Sequence, residues 1–267
     1  MRKQLSFIAN GLEKIRIGMS KTLAVLGSPI AHSKSPQIQL AALNHLGISA
    51  TFDRFEVTDL AGFLATHPNF DALSLTMPLK EQARIVADWE EPLVAKTNSA
   101  NYLLKSNGLL KSFNTDVFGI VKAVQNVSVH TVGILGTGAT ARCSLAAMEG
   151  KELRLWGRKS ETLAELANQF DCTPSEIDSV LQSDLVISTL PGDALADLVG
   201  QSQPGVLLDV VYSRQSPAGF AGYISGLEML VWQAIGQLRI LLNGADVPLE
   251  NEEELAEIMM NAAKVAE

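Results

Sequence analysis

The stretch Val132-Gly133-Ile134-Leu135-Gly136-Thr137-Gly138-Ala139-Thr140-Ala141 decides the fold. An apolar run of strand length ends in Gly-x-Gly-x-x-Ala, and a helical pattern follows it. In that context the first glycine permits a tight turn and the second lets a diphosphate approach the backbone. Ala141 then lets helix and strand pack closely. A diphosphate held there sits on a helix N-terminus, where unpaired N–H groups and the helix dipole favour an anion. Gly136, Thr137, Gly138 and Ala139 are therefore the candidate cofactor loop.

Downstream, apolar strands recur at LRLWG (153–157), DLVIST (184–189) and VLLDVVY (206–212), with helical stretches between them. That alternation predicts βαβ units and a parallel sheet. A nucleotide fold selecting NAD places Asp or Glu about 20 residues beyond the glycines, at the end of the second strand. Here Gly157 is followed by Arg158, Lys159 and Ser160. Two cations and a hydroxyl suit a 2′-phosphate, because Arg presents a rigid fork of donors. The bland alternative is a solvated basic turn. The pattern favours NADP.

Upstream, LAVLG (23–27), TFDRFEV (51–57) and ALSLTM (72–77) read as strands, with a helix beginning near Pro36. NYLL (101–104), Gly108 and SFNTD (112–116) predict a hairpin. From Gly226 the chain is helical, in two apolar periodic stretches separated by NGADVP (243–248). The fold class is α/β throughout.

Ser33, Lys34, Ser35 and Pro36 lie between the first strand and its helix. Pro36 at the first helical position makes Ser35 the expected N-cap. Two readings stay open: a capping hydroxyl only, or Ser33 and Ser35 gripping a carboxylate at the helix N-terminus. Pro78 ends the next ladder, so Lys80 is expected to start a helix at a sheet end. A lysine in such a turn is either solvated or, beside Asn101 and Asp116, part of a site. A Lys–Asp pair in a cleft holds a hydroxyl and passes its proton as hydride leaves the same carbon.

With 21 Lys+Arg against 29 Asp+Glu in 267 residues, the formal charge is -8, which argues against a dedicated nucleic-acid or anionic-membrane binder. No run reaches the roughly 18 apolar residues of a membrane span. Two cysteines, Cys143 and Cys172, make neither a disulfide framework nor a metal-ligand spacing, so a reducing cytoplasm is expected. No Gly-x-Ser-x-Gly elbow or helical His pair points to a hydrolase or metalloenzyme. The scattered histidines, including His32, read as structural. Residues 1–20 read as a surface helix or tail, without a function.

HSKSP (32–36), SLTMPLK (74–80), Asn101, SFNTD (112–116), GTGATA (136–141), the Gly-Arg-Lys turn, DVVY (209–212) and GLEMLVWQ (226–233) occur in the order and spacing of the shikimate dehydrogenase family, which the chain resembles from about Leu23 to its end. The resemblance implies a substrate-binding catalytic domain over 1–117 and a Rossmann-type NADP-binding domain over 118–238. C-terminal helices over 239–267 would return to the substrate domain. It also implies reduction of 3-dehydroshikimate to shikimate with NADP as cofactor, on the route to chorismate and the aromatic amino acids. Carried over position by position, Ser33 and Ser35 would hold the substrate carboxylate, and Lys80 and Asp116 would be the catalytic pair. Thr76, Asn101, Tyr212 and Gln233 would complete the substrate shell. The glycine loop with Arg158 and Lys159 would bind NADP, and Met229 would line the nicotinamide pocket. No metal is implied, and such enzymes occur as monomers and homodimers.

Several positions depart from the family's commonest form: Ser74 for Asn, Asn98 for Gly, Tyr102 for Thr, Ser112 for Gly and Leu40 for Asn. Tyr102 would either narrow the ring pocket or point into the core. Two other functions stay open: a dehydrogenase of quinate or another ring acid with altered cofactor preference, and a non-catalytic NADP-binding redox sensor. The second would have no reason to keep Lys80, Asp116 and both serines together.

Overall fold

A computed structural model describes residues 20–192, 194–199, 203–212 and 219–265; the tail expected over 1–20 lies almost wholly outside them. The first half runs β1 (Lys21–Gly27), α1 (Ser35–His45), β2 (Ala50–Glu56), α2 (Leu60–Thr66), β3 (Ala72–Leu75), α3 (Gln82–Val86), β4 (Trp89–Glu90), α4 (Pro92–Thr97), β5 (Tyr102–Ser106) and β6 (Leu109–Phe113). After α5 (Asp116–Ala123) come β7 (Thr131–Leu135), α6 (Ala139–Ala147), β8 (Glu152–Trp156), α7 (Ser160–Phe170), β9 (Thr173–Pro174), α8 (Ile177–Leu181), β10 (Leu185–Ser188), β11 (Gln203–Asp209) and β12 (Phe220–Ser225). Two long helices, α9 (Gly226–Asn243) and α10 (Glu252–Val265), end the fold.

The strands form two sheets. The first has the order β2-β1-β3-β5-β6-β4. In it β1 is parallel to β2 and β3, and the predicted hairpin β5–β6 joins β3 antiparallel. The second, β12-β11-β10-β7-β8-β9, is parallel throughout. Read from β9, it has the doubly wound dinucleotide-fold order, whose switch point falls between β7 and β10. The largely apolar character of the central strands has a simple cause: β3 and β10 are buried at every position, as strands covered on both faces must be.

Helices cover both faces of each sheet. On the first sheet, Leu23, Val25, Tyr102 and Leu104 pack with α1, α9 and α10. Its other face, carrying Leu26, Leu73, Leu75 and Leu103, packs with α2, α3 and α4. In the second sheet, Ile134, Leu155 and Ile187 join α6 and α7 in one core, and Leu135, Val186 and Leu207 join α8 in another. The division expected at 238/239 falls inside α9, whose residues from Val231 onward already belong to the first core. No helix among the described residues is long and apolar enough to cross a membrane.

The two halves meet where α5 crosses α9. A Cβ on Gly119 would come within 2.7 Å of the Met229 carbonyl, and one on Gly236 within 3.0 Å of Thr115 Cβ. A glycine on each helix therefore permits the close approach. Arg239 then ties α9 to α10: Nε and Nη2 donate to Glu252 Oε1 and Oε2 at 2.7 Å, and Nη1 donates to Asp246 Oδ1 at 2.9 Å. The guanidinium also lies 4.1 Å from the ring centre of Phe118 on α5. Burial raises the Glu252 carboxyl, but its hydrogen bonds and the Arg239 charge outweigh this and hold it below the usual range.

That lowered pKa fixes the sign of a pH effect. Stability from Glu252 is present above the unfolded value of about 4.3 and is lost as pH falls through the lower folded value. Glu252→Gln should destabilise the protein by about 1–3 kcal/mol at pH 7, as for a hydrogen bond between charged groups. Thermal melts of parent and variant should converge only once the pH has fallen below the lowered folded pKa, where both positions are neutral. A gap that persisted unchanged in acid would refute the charge assignment.

Candidate active site

Lys80 lies in the turn after β3, at the sheet end. It precedes α3 rather than opening it, as that helix begins only at Gln82. The Ala100 N–H donates to the Lys80 carbonyl at 2.9 Å, fixing the backbone. Asp116 opens α5, where the helix dipole favours its charge. Asn114 Oδ1 accepts from the N–H of Asp116 at 3.0 Å and of Val117 at 3.4 Å, and so caps that helix. Lys80 Nζ donates to Asp116 Oδ2 at 2.6 Å. Burial alone would lower the Lys80 pKa; the Asp116 charge and hydrogen bond override it, and the pKa rises. Lys80 is thus an ammonium group at neutral pH.

The other Asp116 oxygen, Oδ1, accepts from Asn101 Nδ2 at 2.8 Å. The same nitrogen lies 2.9 Å from Thr115 Oγ1 and 3.1 Å from Gln233 Oε1. The Thr115 N–H donates back to Asn101 Oδ1 at 2.8 Å. Behind the pair, Cys143 accepts from Asn114 Nδ2 at 3.2 Å, and burial pushes its thiol up to about 12, so it stays protonated.

Lys80 and Asp116 face a cavity of about 410 Å³ between the two sheets. Ser33, Ser35, Thr76, Asn101, Tyr212, Met229 and Gln233 also line it, so every residue expected to touch substrate or nicotinamide converges there. Tyr212 reaches across from the second half, its hydroxyl donating to the His32 carbonyl at 3.3 Å. The capping expectation for Ser35 needs correction: Lys34 precedes the helix with helical backbone angles, and no side chain caps it. Pro36 consequently stands one position further in. Ser33 Oγ, instead, accepts from the Ser35 N–H at 3.4 Å.

A second cavity of about 370 Å³ adjoins the first, lined by Thr76, Met77, Lys80, Gly138, Ala139, Thr140 and Thr189. Gly136 has φ +113, and a Cβ there would strike Thr189 Oγ1. Gly138 precedes α6 and its missing Cβ would project into open space, while no side chain caps the helix. Thr137 packs on Gly157, where a Cβ would meet Thr137 Cγ2. Arg158 and Lys159 are exposed at the end of β8 and line neither cavity. On the flank of the cleft, Arg142 on α6 pairs with Glu81 and donates to the Thr97 carbonyl at 2.7 Å, joining the halves. Among the described residues, no group of three or more His, Cys, Asp or Glu is placed to hold a metal ion.

The departures acquire physical reasons. Asn98 ends α4 at φ 49, a left-handed position that Gly or Asn fills. Tyr102 is 2% exposed in the first core and does not line the cavity. Ser112 donates to the Trp89 carbonyl at 3.3 Å, and Leu40 packs on the first core. Ser74 does line the cavity, where its hydroxyl donates to Gln237 Oε1 at 2.8 Å. Gln39, Gln237, Gly119 and Gly236 were not singled out from the sequence. The signal was there for Gln237: a polar residue one helical turn after Gln233 on the same apolar helix.

Residues 25–103 match the protein-family description "Shikimate dehydrogenase substrate binding domain". A "Shikimate dehydrogenase (NADP(+))" of Thermus thermophilus is 29% identical over 238 residues, spanning 81% of this chain and 90% of that one. The crystal structure of a Thermus thermophilus shikimate 5-dehydrogenase in complex with NADP(H) and shikimate superposes with a TM-score of 0.78 at 26% identity. The match covers 92% of this chain and 100% of that chain. The Mycobacterium tuberculosis shikimate dehydrogenase structure matches at TM-score 0.79 and 29% identity, with coverage of 92% and 100%. These likenesses show that the chain is similar to shikimate dehydrogenases along most of its length.

Proposed function

We propose that the protein is an NADP-dependent dehydrogenase that interconverts 3-dehydroshikimate and shikimate. One observation carries this reading: Lys80, paired with Asp116 at 2.6 Å, borders both the cavity between the sheets and the one that reaches the N-terminus of α6. A ring substrate in the first cavity and a dinucleotide on the second would meet at that pair. Similarity to NADP-dependent shikimate dehydrogenases along nearly the whole chain supports the same reaction.

The residues divide the work by their chemistry. Ser33 and Ser35 would donate hydrogen bonds from their hydroxyls to the substrate carboxylate. Thr76, Asn101, Tyr212 and Gln233 orient the ring. The glycine loop fits a diphosphate, since the space opposite Gly138 is free and the first turn of α6 lacks a side-chain cap. Gly136, Thr137, Gly138 and Ala139 would hold it, Met229 would line the nicotinamide side, and Arg158 and Lys159 would take the 2′-phosphate. NADPH, when bound, supplies the hydride for the ring carbonyl carbon. The Lys80 ammonium hydrogen-bonds the carbonyl oxygen and holds the proton that this oxygen takes up, while Asp116 keeps Lys80 charged. Holding both reactants in one cleft makes the transfer effectively unimolecular.

A paired ammonium and carboxylate in the cleft speaks against a redox-sensing module, which needs neither. Burial of Tyr102 leaves the ring pocket unnarrowed and removes one argument for an altered ring acid. Both cysteines are buried and unpaired, which supports a reducing, cytoplasmic setting.

Absorbance at 340 nm, with shikimate or quinate each offered NADP or NAD, tests the reading directly. Shikimate with NADP should be the preferred couple; turnover only of quinate with NAD would replace it. Lys80→Ala should lower kcat by about 10²–10⁴, the range of general acid–base assistance, while NADP still binds by fluorescence titration. Full activity in that variant would remove the pair from the mechanism. Arg158→Leu should raise KM for NADP by about 10–100-fold, the loss of a charge-assisted hydrogen bond. KM for NAD should stay within about twofold on the same argument, and equal effects would refute phosphate recognition.

A further inference from the structure

Beneath the catalytic pair, side chains from α1, β3, α9 and the turn before β5 form one continuous buried relay. Gln39 Nε2 donates to Gln237 Oε1 at 2.5 Å, and Gln237 Nε2 donates to Gln233 Oε1 at 2.8 Å. Gln233 Oε1 also accepts from Asn101 Nδ2, which in turn donates to Asp116. Gln39, Gln237 and Asn101 are at most 2% exposed, and Gln237 lines the substrate cavity.

The direction of this relay follows from groups with a single hydrogen-bonding role. A carboxylate only accepts, and the Thr115 N–H only donates, so Asn101 must turn Nδ2 to Asp116 and Oδ1 to Thr115. The Leu230 carbonyl only accepts, so Gln233 turns Nε2 to it at 2.8 Å and Oε1 to Asn101. Gln237 must therefore present Nε2 to Gln233. Its own Oε1 then receives Gln39 Nε2 and the Ser74 hydroxyl. The acceptor oxygens of Asn101, Gln233 and Gln237 are each filled twice. What remains for a ligand is fixed: one N–H of Gln233 as a donor, and the lone pairs of Ser74 Oγ as an acceptor.

We propose that Gln237 is a positioning residue that sets the hydrogen-bonding sense of the cavity floor, so that the floor selects a ring bearing hydroxyl groups. This inference rests on the dehydrogenase reading above. A hydroxyl can donate to Ser74 and accept from Gln233; a carbonyl or ether oxygen facing Ser74 finds only lone pairs. Gln237 itself offers nothing to the substrate, since both its N–H groups are engaged, with Gln233 Oε1 and, at 3.4 Å, the Asn101 carbonyl.

The test compares Gln237→Met, which keeps shape without polarity, with Gln237→Glu, which when ionised cannot donate to Gln233. Steady-state kinetics with shikimate and NADP should show KM for shikimate raised at least tenfold in Gln237→Met, with KM for NADP within twofold. In Gln237→Glu, kcat/KM should be low at pH 8 and recover at least fivefold relative to parent at pH 6, where protonation restores the donor. A merely structural residue would lower both variants alike with no such pH difference, and that outcome overturns the proposal, as does parental KM in Gln237→Met. The side-chain ¹⁵N amide resonances of Gln233 need no substrate: they should shift between parent and Gln237→Glu at pH 8 and return at pH 6. Unchanged resonances overturn the proposal even if the parent reduces no ring acid. Parent turnover alone decides the dehydrogenase reading, so the two failures are separable.

Discussion

An ammonium and a carboxylate at 2.6 Å, brought from positions 36 residues apart, form the contact on which the rest of this molecule depends. Such a pair costs desolvation energy, and it persists only where further hydrogen bonds satisfy it. Here the carboxylate's second oxygen is taken by Asn101, and Asn101 is held on both sides by Thr115. Charge, not burial, then sets the state of the lysine. The first sheet supplies Lys80 and Asn101 at one end of its central strands, β3 and β5. The second half begins at Asp116, so the pair also marks the junction between the two halves.

That junction has two different kinds of contact. At the α5–α9 crossing, two glycines allow backbone to approach backbone, a rigid and short-range contact. At the cleft rim the contacts are made by polar side chains: Arg142 to Glu81 and Thr97, and Tyr212 to His32. Packed backbone resists relative movement more than single polar side-chain links do. The cavity lies between them, with the packed crossing on the side of Asp116 and Gln233.

Much of this was legible in the sequence because the signals were local. A strand followed by Gly136-x-Gly138 specifies a turn, an open cradle and a helix start within a few residues, and β7 and α6 form there. Lys80 and Asp116 stand at ends of apolar runs, where a sheet presents its chemistry. The cap of α1 was misassigned by one residue, the usual scale on which helix starts shift. What stayed hidden was pairwise and distant. Nothing near Gln39 indicates that it meets Gln237, 198 positions away, and Gly119 looks like a mere weakness in a helix until Met229 lies against it. The role of α9 was hidden for the same reason: its apolar periodicity announces a buried helix without naming the sheet that buries it.

Helices α9 and α10 complete the core that β1 and α1 begin, and this bears on how the polypeptide is made. During synthesis the earliest strands must wait, one face only partly covered by α1, until α9 and α10 leave the ribosome. The second sheet, by contrast, has nearly all its own layers in hand before α10 emerges. A nascent chain thus carries an exposed apolar sheet face until those two helices have emerged, and the cavity lacks its Met229 and Gln233 wall until α9 is in place.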